Sequence, residues 1–470
     1  MGRVFKGVWA KMNLIRYLPR FQKALGALQV MAERETWPRS AIEAFQLDRL
    51  NAVWQHAAVH VPYYRGLRTN ADLPLRFSSL SEFRSSVPVL SKSEIRTTPQ
   101  RFFSEQPRRG GWKRTGGSTG TPMSIYWASE AHYEMLCTRY RFYAMWGIDI
   151  FDRSAFLWGH SASFAPGLAG LMARFQQPLE DRLRNRIRLS AYHLGQQDLD
   201  HYLQKIMRFR PVSLYGYSRA LYLLACKAAE NGFRCDSLKL FVLTGEPAFP
   251  YIVEKIERTF GVPTAVEYGA TECVRIAEEW PDRTLRVRED VVFVETLPRE
   301  DGRYEIVLSV LNNPSFPLLR YALDDMTDAA LNCPDQGFSI FKNVVGRNND
   351  FIITRSGGLL HSCRFDALFK YFSKAIQGFQ IQQDAKGALA VLLEMNPRSA
   401  PADIDVPGLQ RKIHELVEGY PVTLKVVESI PQTLAGKHRI VMSDLATALI
   451  KEKEKISGTS GCGSTVKAID

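Results

Sequence analysis

The sequence has no C-x-x-C pair, and its seven cysteines (Cys137, Cys226, Cys235, Cys273, Cys333, Cys363 and Cys462) are odd in number. That argues against a disulfide framework or a structural zinc site, and makes reduced thiols in a cytoplasmic protein the expectation. No run reaches the roughly 20 apolar residues that span a bilayer, which argues against an integral membrane protein. The apolar stretch ALGALQVMA after Arg20 is interrupted by Gln29 and followed at once by Glu33 and Arg34, a poor match to a secretory signal. Basic–aromatic interleaving of the kind that binds nucleic acid is missing, and so is any internal repeat.

What is present is a chain of 470 residues, 45% hydrophobic, long and apolar enough for a large domain and a smaller one. Lysine and arginine number 61 against 49 aspartates and glutamates, a formal net charge of +12. Such a field favours anionic partners without choosing among them. Part of the excess is local: residues 1–25 carry Arg3, Lys6, Lys11, Arg16, Arg20 and Lys23 with no acidic residue. A basic N-terminal helix there can pack on the body of the protein or make a peripheral contact with an acidic membrane surface.

Apolar residues recur at helical spacing through most of the first 65 residues, ending where Pro62 stops the pattern. Ser91 three residues before Glu94 is a capping-box signature that predicts a short helix. The stretch beginning SEAHYEMLCTRYRF predicts a long one. Between residues 200 and 300 helix and strand alternate: helices over 198–209, 220–230 and 251–260, strands over 213–217, 238–243 and 265–268. That alternation predicts an α/β fold with parallel strands. Beyond residue 280 the pattern turns β-rich, with strands over 290–296 and 304–311 joined at Asp301-Gly302. From about residue 346 a smaller α+β unit begins: a turn at Gly357-Gly358, a helix over 366–373, a strand over 389–394, a helix over 409–418 and a strand over 424–429. Residues 457–470 read as a low-complexity, disordered tail.

Five stretches carry chemistry. Thr115-Gly116-Gly117-Ser118-Thr119-Gly120 can wrap phosphate oxygens with backbone N–H groups and hydroxyls, or serve as a flexible loop. No Gly-Lys-Ser/Thr closes it as a Walker loop. Tyr268-Gly269-Ala270-Thr271-Glu272 follows a strand, where open α/β sheets bind ligands; a carboxylate there can hold Mg2+ and an aromatic can stack on a base. The other three are Arg320-Tyr321-Ala322-Leu323-Asp324-Asp325, Gly346-Arg347-Asn348-Asn349-Asp350 and Gly436-Lys437-His438-Arg439. Each is a commonplace turn when read alone.

Read in order, and with the Gly245-Glu246-Pro247 turn, they resemble the adenylate-forming superfamily of acyl-CoA ligases. The resemblance is narrowest to the branch of phenylacetate–CoA ligase, coenzyme F390 synthetase and CapK-like proteins. All six motifs of that branch occur in its order: Glu272 lies 152 residues after Gly120, Asp325 lies 53 further on, and Lys437 lies 90 after Arg347. RLNAVWQHAAVHVPYYRGL and LSKSEIR are similar to it too, so that the likeness spans residues 45–445. It implies a large multi-layered α/β domain with mixed sheets over residues 1–345, which binds the nucleotide, and a small mobile α+β domain over 346–456 that hinges at Asp350.

The resemblance also implies roles. Thr115, Gly116, Gly117, Ser118, Thr119 and Gly120 would hold the ATP β- and γ-phosphates. Gly245 and Glu246 would border the adenine pocket, on which Tyr268, followed by Gly269, would stack. Thr271 and Glu272 would meet the α-phosphate and Mg2+. Asp325 and Arg347 would bind the ribose, and Lys437 would reach the substrate carboxylate. A small carboxylic acid would be activated with ATP and passed to CoA; an amine or sugar acceptor in surface-polysaccharide synthesis, and a catalytically silent CapK-like binding protein, are the alternatives. Asp324 departs from the pattern, because the family has glycine there. His160 and the aromatics Tyr133, Tyr140, Phe142, Tyr143, Trp146, Trp158 and Phe164 fall in the region expected to form the acyl pocket.

Overall fold

The structure is a computed structural model. It describes residues 27–28, 30–114, 123–149, 151–159, 181–182, 184–191, 194, 196–273, 275–300, 302–344, 346–347, 351–357, 359–361, 365, 375–395, 399, 401–431 and 439–446. These fall into two compact units, one running to Val345 and the other starting at Gly346.

In the first unit, helix α1 (Arg39–His60) buries Ile42, Gln46, Leu50, Val53, Trp54 and Ala57, one face of a 3.6-residue repeat. Its polar members on that face are satisfied: Gln46 donates to the Glu289 carbonyl, Trp54 to the Pro74 carbonyl, and Asn51 exchanges two hydrogen bonds with the Phe77 backbone. Pro62 ends α1 as expected, but it does not end helix. It sits at the first position of α2 (Pro62–Asn70), where its missing N–H costs nothing. Helices α3 (Leu80–Ser86) and α4 (Lys92–Thr97) follow, and α4 carries the full capping box between Ser91 and Glu94.

Strands β1 (Gly110–Arg114) and β2 (Ser124–Ala128) form a hairpin closing at Arg114–Ser124, and α5 (Ser129–Met145) comes directly after. Then follow β3 (Ser154–Trp158), β4 (Arg186–Ser190), α6 (Gln196–Phe209), β5 (Ser213–Tyr217), α7 (Ser218–Glu230), β6 (Leu240–Thr244), α8 (Pro250–Phe260) and β7 (Thr264–Tyr268). The remaining strands of this unit are β8 (Ala277–Glu279), β9 (Leu285–Val287), β10 (Val292–Pro298), β11 (Tyr304–Val310), β12 (Tyr321–Thr327) and β13 (Ile340–Phe341).

The central sheet has eight strands in the order β13-β9-β8-β7-β6-β5-β3-β4. From β7 to β4 the pairing is parallel; β8, β9 and β13 extend it antiparallel, so the sheet is mixed. The strands expected over 213–217, 238–243 and 265–268 are the parallel neighbours β5, β6 and β7, and after Gly269 the chain turns back to pair β8 antiparallel with β7. Strands β10, β11 and β12 make an antiparallel meander. Phe142, one of the aromatics in the region expected to form the acyl pocket, packs with Leu240, Val242 and Ala265. Trp146, in the same expected group, donates its indole N–H to the Glu279 carbonyl.

In the second unit, β14 (Gly346–Arg347), the hairpin of β15 (Phe351–Ile353) and β16 (Leu359–His361), β17 (Ile376–Gln383), β18 (Leu389–Met395), α9 (Val406–Leu416), β19 (Val422–Val427) and β20 (Val441–Ser443) follow in sequence. A four-stranded sheet in the order β19-β18-β17-β20 buries Ile381, Val391 and Leu393 against Leu409 and Ile413 of α9. The expected helix over 366–373 lies outside the described residues. No helix of the described residues is long and apolar enough to cross a membrane. The described cysteines, Cys137, Cys226, Cys235, Cys273 and Cys333, are free thiols.

Candidate active site

At the carboxyl end of β7 the chain runs from Tyr268 into Gly269, Thr271 and Glu272. The Tyr268 hydroxyl donates to Asp325 Oδ2 at 2.7 Å, and its ring meets Phe341 edge-on. Two motifs separated by more than fifty residues are thereby joined. What presents Asp325 is an irregularity in β12: Glu305 pairs with Met326 but Val307 pairs with Ala322, so residues 323–325 stand opposite Ile306 alone. The bulge turns at Asp324, whose φ is +65°. That is the left-handed region, which glycine enters freely and aspartate enters more readily than most residues. The departure from the family's glycine is thus absorbed by the backbone, and Asp325 still reaches Tyr268.

Glu272 is 5% exposed. Its Oε1 lies 3.3 Å from Lys92 Nζ and accepts from the Tyr321 hydroxyl, also at 3.3 Å. Burial, with Glu272 and Asp324 nearby, drives the Tyr321 hydroxyl pKa far above its ordinary value, so it remains a donor at every physiological pH. Lys92 comes from the LSKSEIR stretch, to which the sequence assigned no role. Backbone hydrogen bonds hold that stretch to β12: Leu90 donates to the Arg320 carbonyl at 2.8 Å and accepts from Ala322 at 2.9 Å. The Thr271 carbonyl accepts from the Trp127 indole at 3.3 Å, which ties the 268–272 loop to the end of β2.

The Gly245-Glu246-Pro247 turn has Gly245 at φ +74°. The Glu246 carboxylate accepts the Arg219 backbone N–H at 3.1 Å in the first turn of α7, the favourable end of the helix dipole for an anion. Arg320, in the fourth motif, has a structural task. Its guanidinium grips both carboxylate oxygens of Glu295 at 3.0 and 3.1 Å and donates to the Val87 carbonyl at 2.6 Å. Thr115, Gly116, Gly117, Ser118, Thr119, Gly120, His160, Phe164 and Lys437 lie outside the described residues. Of Arg347 only the backbone is described, in β14.

Beneath β7 lies a buried ionic tier that sequence reasoning missed. Glu267 accepts from Tyr215 and Arg275, each at 2.7 Å. Arg275 and Arg288 approach Glu278 at 3.3 and 3.2 Å, and Arg141 grips Asp290 at 2.9 and 3.2 Å. Glu278 lies within ion-pair distance of both arginines, yet none of its oxygens has hydrogen-bond alignment. Burial therefore outweighs the arginines and pushes its pKa up to about 7. The signal available in the sequence was the density of arginine and glutamate in α5 and in residues 267–290, which solvated helix faces also show.

The donor set fits Mg·ATP. Mg2+ is commonly held by one or two carboxylates with substrate phosphates completing its shell, and Glu272 supplies one carboxylate with Oε1 engaged and Oε2 without a partner among the described residues. Tyr268 gives a half-buried ring at a strand end, and Asp325 an acceptor beside it.

Comparison with known proteins gives concordant results. Residues 352–444 match the family model described as the CapK C-terminal domain. Protein CapK of Staphylococcus aureus is 21% identical over 371 residues, which cover 77% of this chain and 80% of that protein. The crystal structure of 2-hydroxyisobutyryl-CoA ligase in the postadenylation state, in complex with 2-HIB-AMP, superposes with a TM-score of 0.69 at 18% identity, covering 90% of this chain and 94% of the other. The same ligase in complex with 2-HIB-AMP and CoA superposes at 0.56 with the same identity and coverage. Residues 352–444 thus match the CapK C-terminal domain, the chain as a whole is similar to protein CapK, and its fold is that of 2-hydroxyisobutyryl-CoA ligase.

Proposed function

We propose that the protein is an ATP-dependent acid ligase. A carboxylate attacks the ATP α-phosphate, the bond to pyrophosphate breaks, and the acyl-adenylate is passed to a thiol, with CoA as the acceptor. The observation that carries this reading is the assembly at the end of β7: Tyr268 bonded to Asp325, and Glu272 held by Lys92 and Tyr321 beside it.

A carboxylate is a weak nucleophile, and negative charge builds on both the phosphorus centre and the departing pyrophosphate. Catalysis is then mostly positioning and positive charge. Tyr268 offers a face to adenine, Asp325 accepts from the ribose hydroxyls, and Thr271 meets the α-phosphate. Mg2+ on Glu272 would supply charge to the phosphates. The residues from Thr115 to Gly120 cradle the β- and γ-phosphates, and Lys437 orients the acid.

Pyrophosphate release over a broad panel of carboxylic acids tests the reading. Lys437→Ala should lose about a hundred- to a thousandfold in adenylation rate while ATP binding persists. Undiminished release by that variant, or silence of the wild type with every acid, would overturn it. An amine or amino sugar is the alternative acceptor class. Product analysis with and without CoA separates the two.

A further inference from the structure

Lys92 stands where electrostatics disfavours a cation. It is the first residue of α4, at the positive end of the helix dipole, and its side chain is only 13% exposed. A lysine in such a place has to be balanced by a specific anion, and the one ion pair it makes among the described residues is with Glu272. The placement is fixed from both sides: the Ser91–Glu94 capping box holds the helix start, and the two backbone bonds of Leu90 hold the approach. Both Lys92 and Tyr321 address Oε1.

We propose that Lys92 is a positioning residue of the nucleotide site, an internal counter-ion that turns Glu272 so that Oε2 faces the incoming metal–nucleotide and keeps the carboxylate from capturing free divalent cations. The inference rests on the ligase reading in taking Glu272 as the metal-side carboxylate. An ammonium beside a buried carboxylate neutralises it, and a divalent ion arriving alone meets that positive charge. The phosphates of ATP bring the compensating negative charge, so that metal and nucleotide enter together.

The test is a titration of the nucleotide-free full-length protein with Mn2+, read by electron paramagnetic resonance. Lys92→Met should bind Mn2+ at least about tenfold more tightly than the wild type, as expected when a unit charge is withdrawn from beside the carboxylate. Lys92→Arg should stay within about threefold of the wild type, because the charge is kept. Tyr321→Phe should also leave Mn2+ affinity unchanged, since it removes an Oε1 contact without altering charge. Equal Mn2+ affinity of folded Lys92→Met and wild type would overturn the proposal. If Lys92→Met does not fold, Lys92→Gln takes its place with the same expectation; failure of both to fold would assign the pair to stability and overturn the proposal too. Absence of Mg·ATP binding by the wild type would instead sink the ligase reading while leaving the Mn2+ comparison intact.

Discussion

Arg320 offers a sharp test of the energetics. Its guanidinium bonds both oxygens of Glu295 and the carbonyls of Arg84 and Val87, so it closes the end of α3 onto the start of β12. Arg320→Met keeps much of the aliphatic stem and deletes the donors. Glu295, whose side chain is 4% exposed, would be left as a buried anion without its partner. Breaking a buried pair from one side costs about 3–5 kcal/mol. Removing both charges, in Arg320→Met/Glu295→Leu, leaves no stranded ion, and the double variant should be less destabilised than the sum of the singles by about 2 kcal/mol or more. Urea unfolding followed by tryptophan fluorescence measures each corner of the cycle, with the change in midpoint converted through a common slope. A loss below about 1 kcal/mol for Arg320→Met, or strict additivity in the cycle, would refute the assignment of this pair as a buried, mutually dependent contact.

Asp324 at φ +65° predicts that Asp324→Gly folds at least as stably as the wild type and retains adenylation, whereas Asp324→Val loses about 1–2 kcal/mol in thermal or urea melts; a valine variant as stable as the wild type would contradict the left-handed assignment. Glu278 makes stability depend on pH with a defined sign. Its pKa of about 7 in the fold exceeds that of the unfolded chain, so the folded state holds the proton more tightly and stability declines as pH rises from about 4.5 to 7, by up to ~3 kcal/mol. Glu278→Gln should flatten that decline, matching the wild type near pH 5 and exceeding it near pH 8 in urea melts; a difference between the two proteins that is the same at both pH values would count against it.

Much of the first unit could be read from local pattern because local physics decides it. Ser91 and Glu94 make reciprocal bonds within four residues, and the apolar run at Leu240, Phe241, Val242 and Leu243 has no other use than a strand buried on both faces. The 268–272 loop was legible as a strand end. What lay beyond reach were contacts between distant segments. Lys92 and Glu272 are 180 positions apart, and nothing in LSKSEIR announces a buried ammonium. Arg141 reads as one charge on an ordinary helix, yet it is 2% exposed and fastened to Asp290. Strand β17 escaped because IQGFQIQQ is rich in glutamine. Its Gln383 is nevertheless interior, exchanging hydrogen bonds with the Ile353 backbone and accepting from Ser443, which an apolar count cannot register. The short strands β8, β9 and β13 were missed as well: two or three residues carry too little periodicity to distinguish from loop.

The buried charges under β7 also bear on how this protein could change. Each of Arg141, Arg275, Arg288, Glu267, Glu278 and Asp290 compensates more than one neighbour, so no single replacement restores neutrality. Drift at these positions would have to proceed by paired or simultaneous exchange. A saturation survey would then find, Glu278→Gln apart, intolerant sites that touch no ligand, and homologous chains that differ here should differ at several of these positions at once.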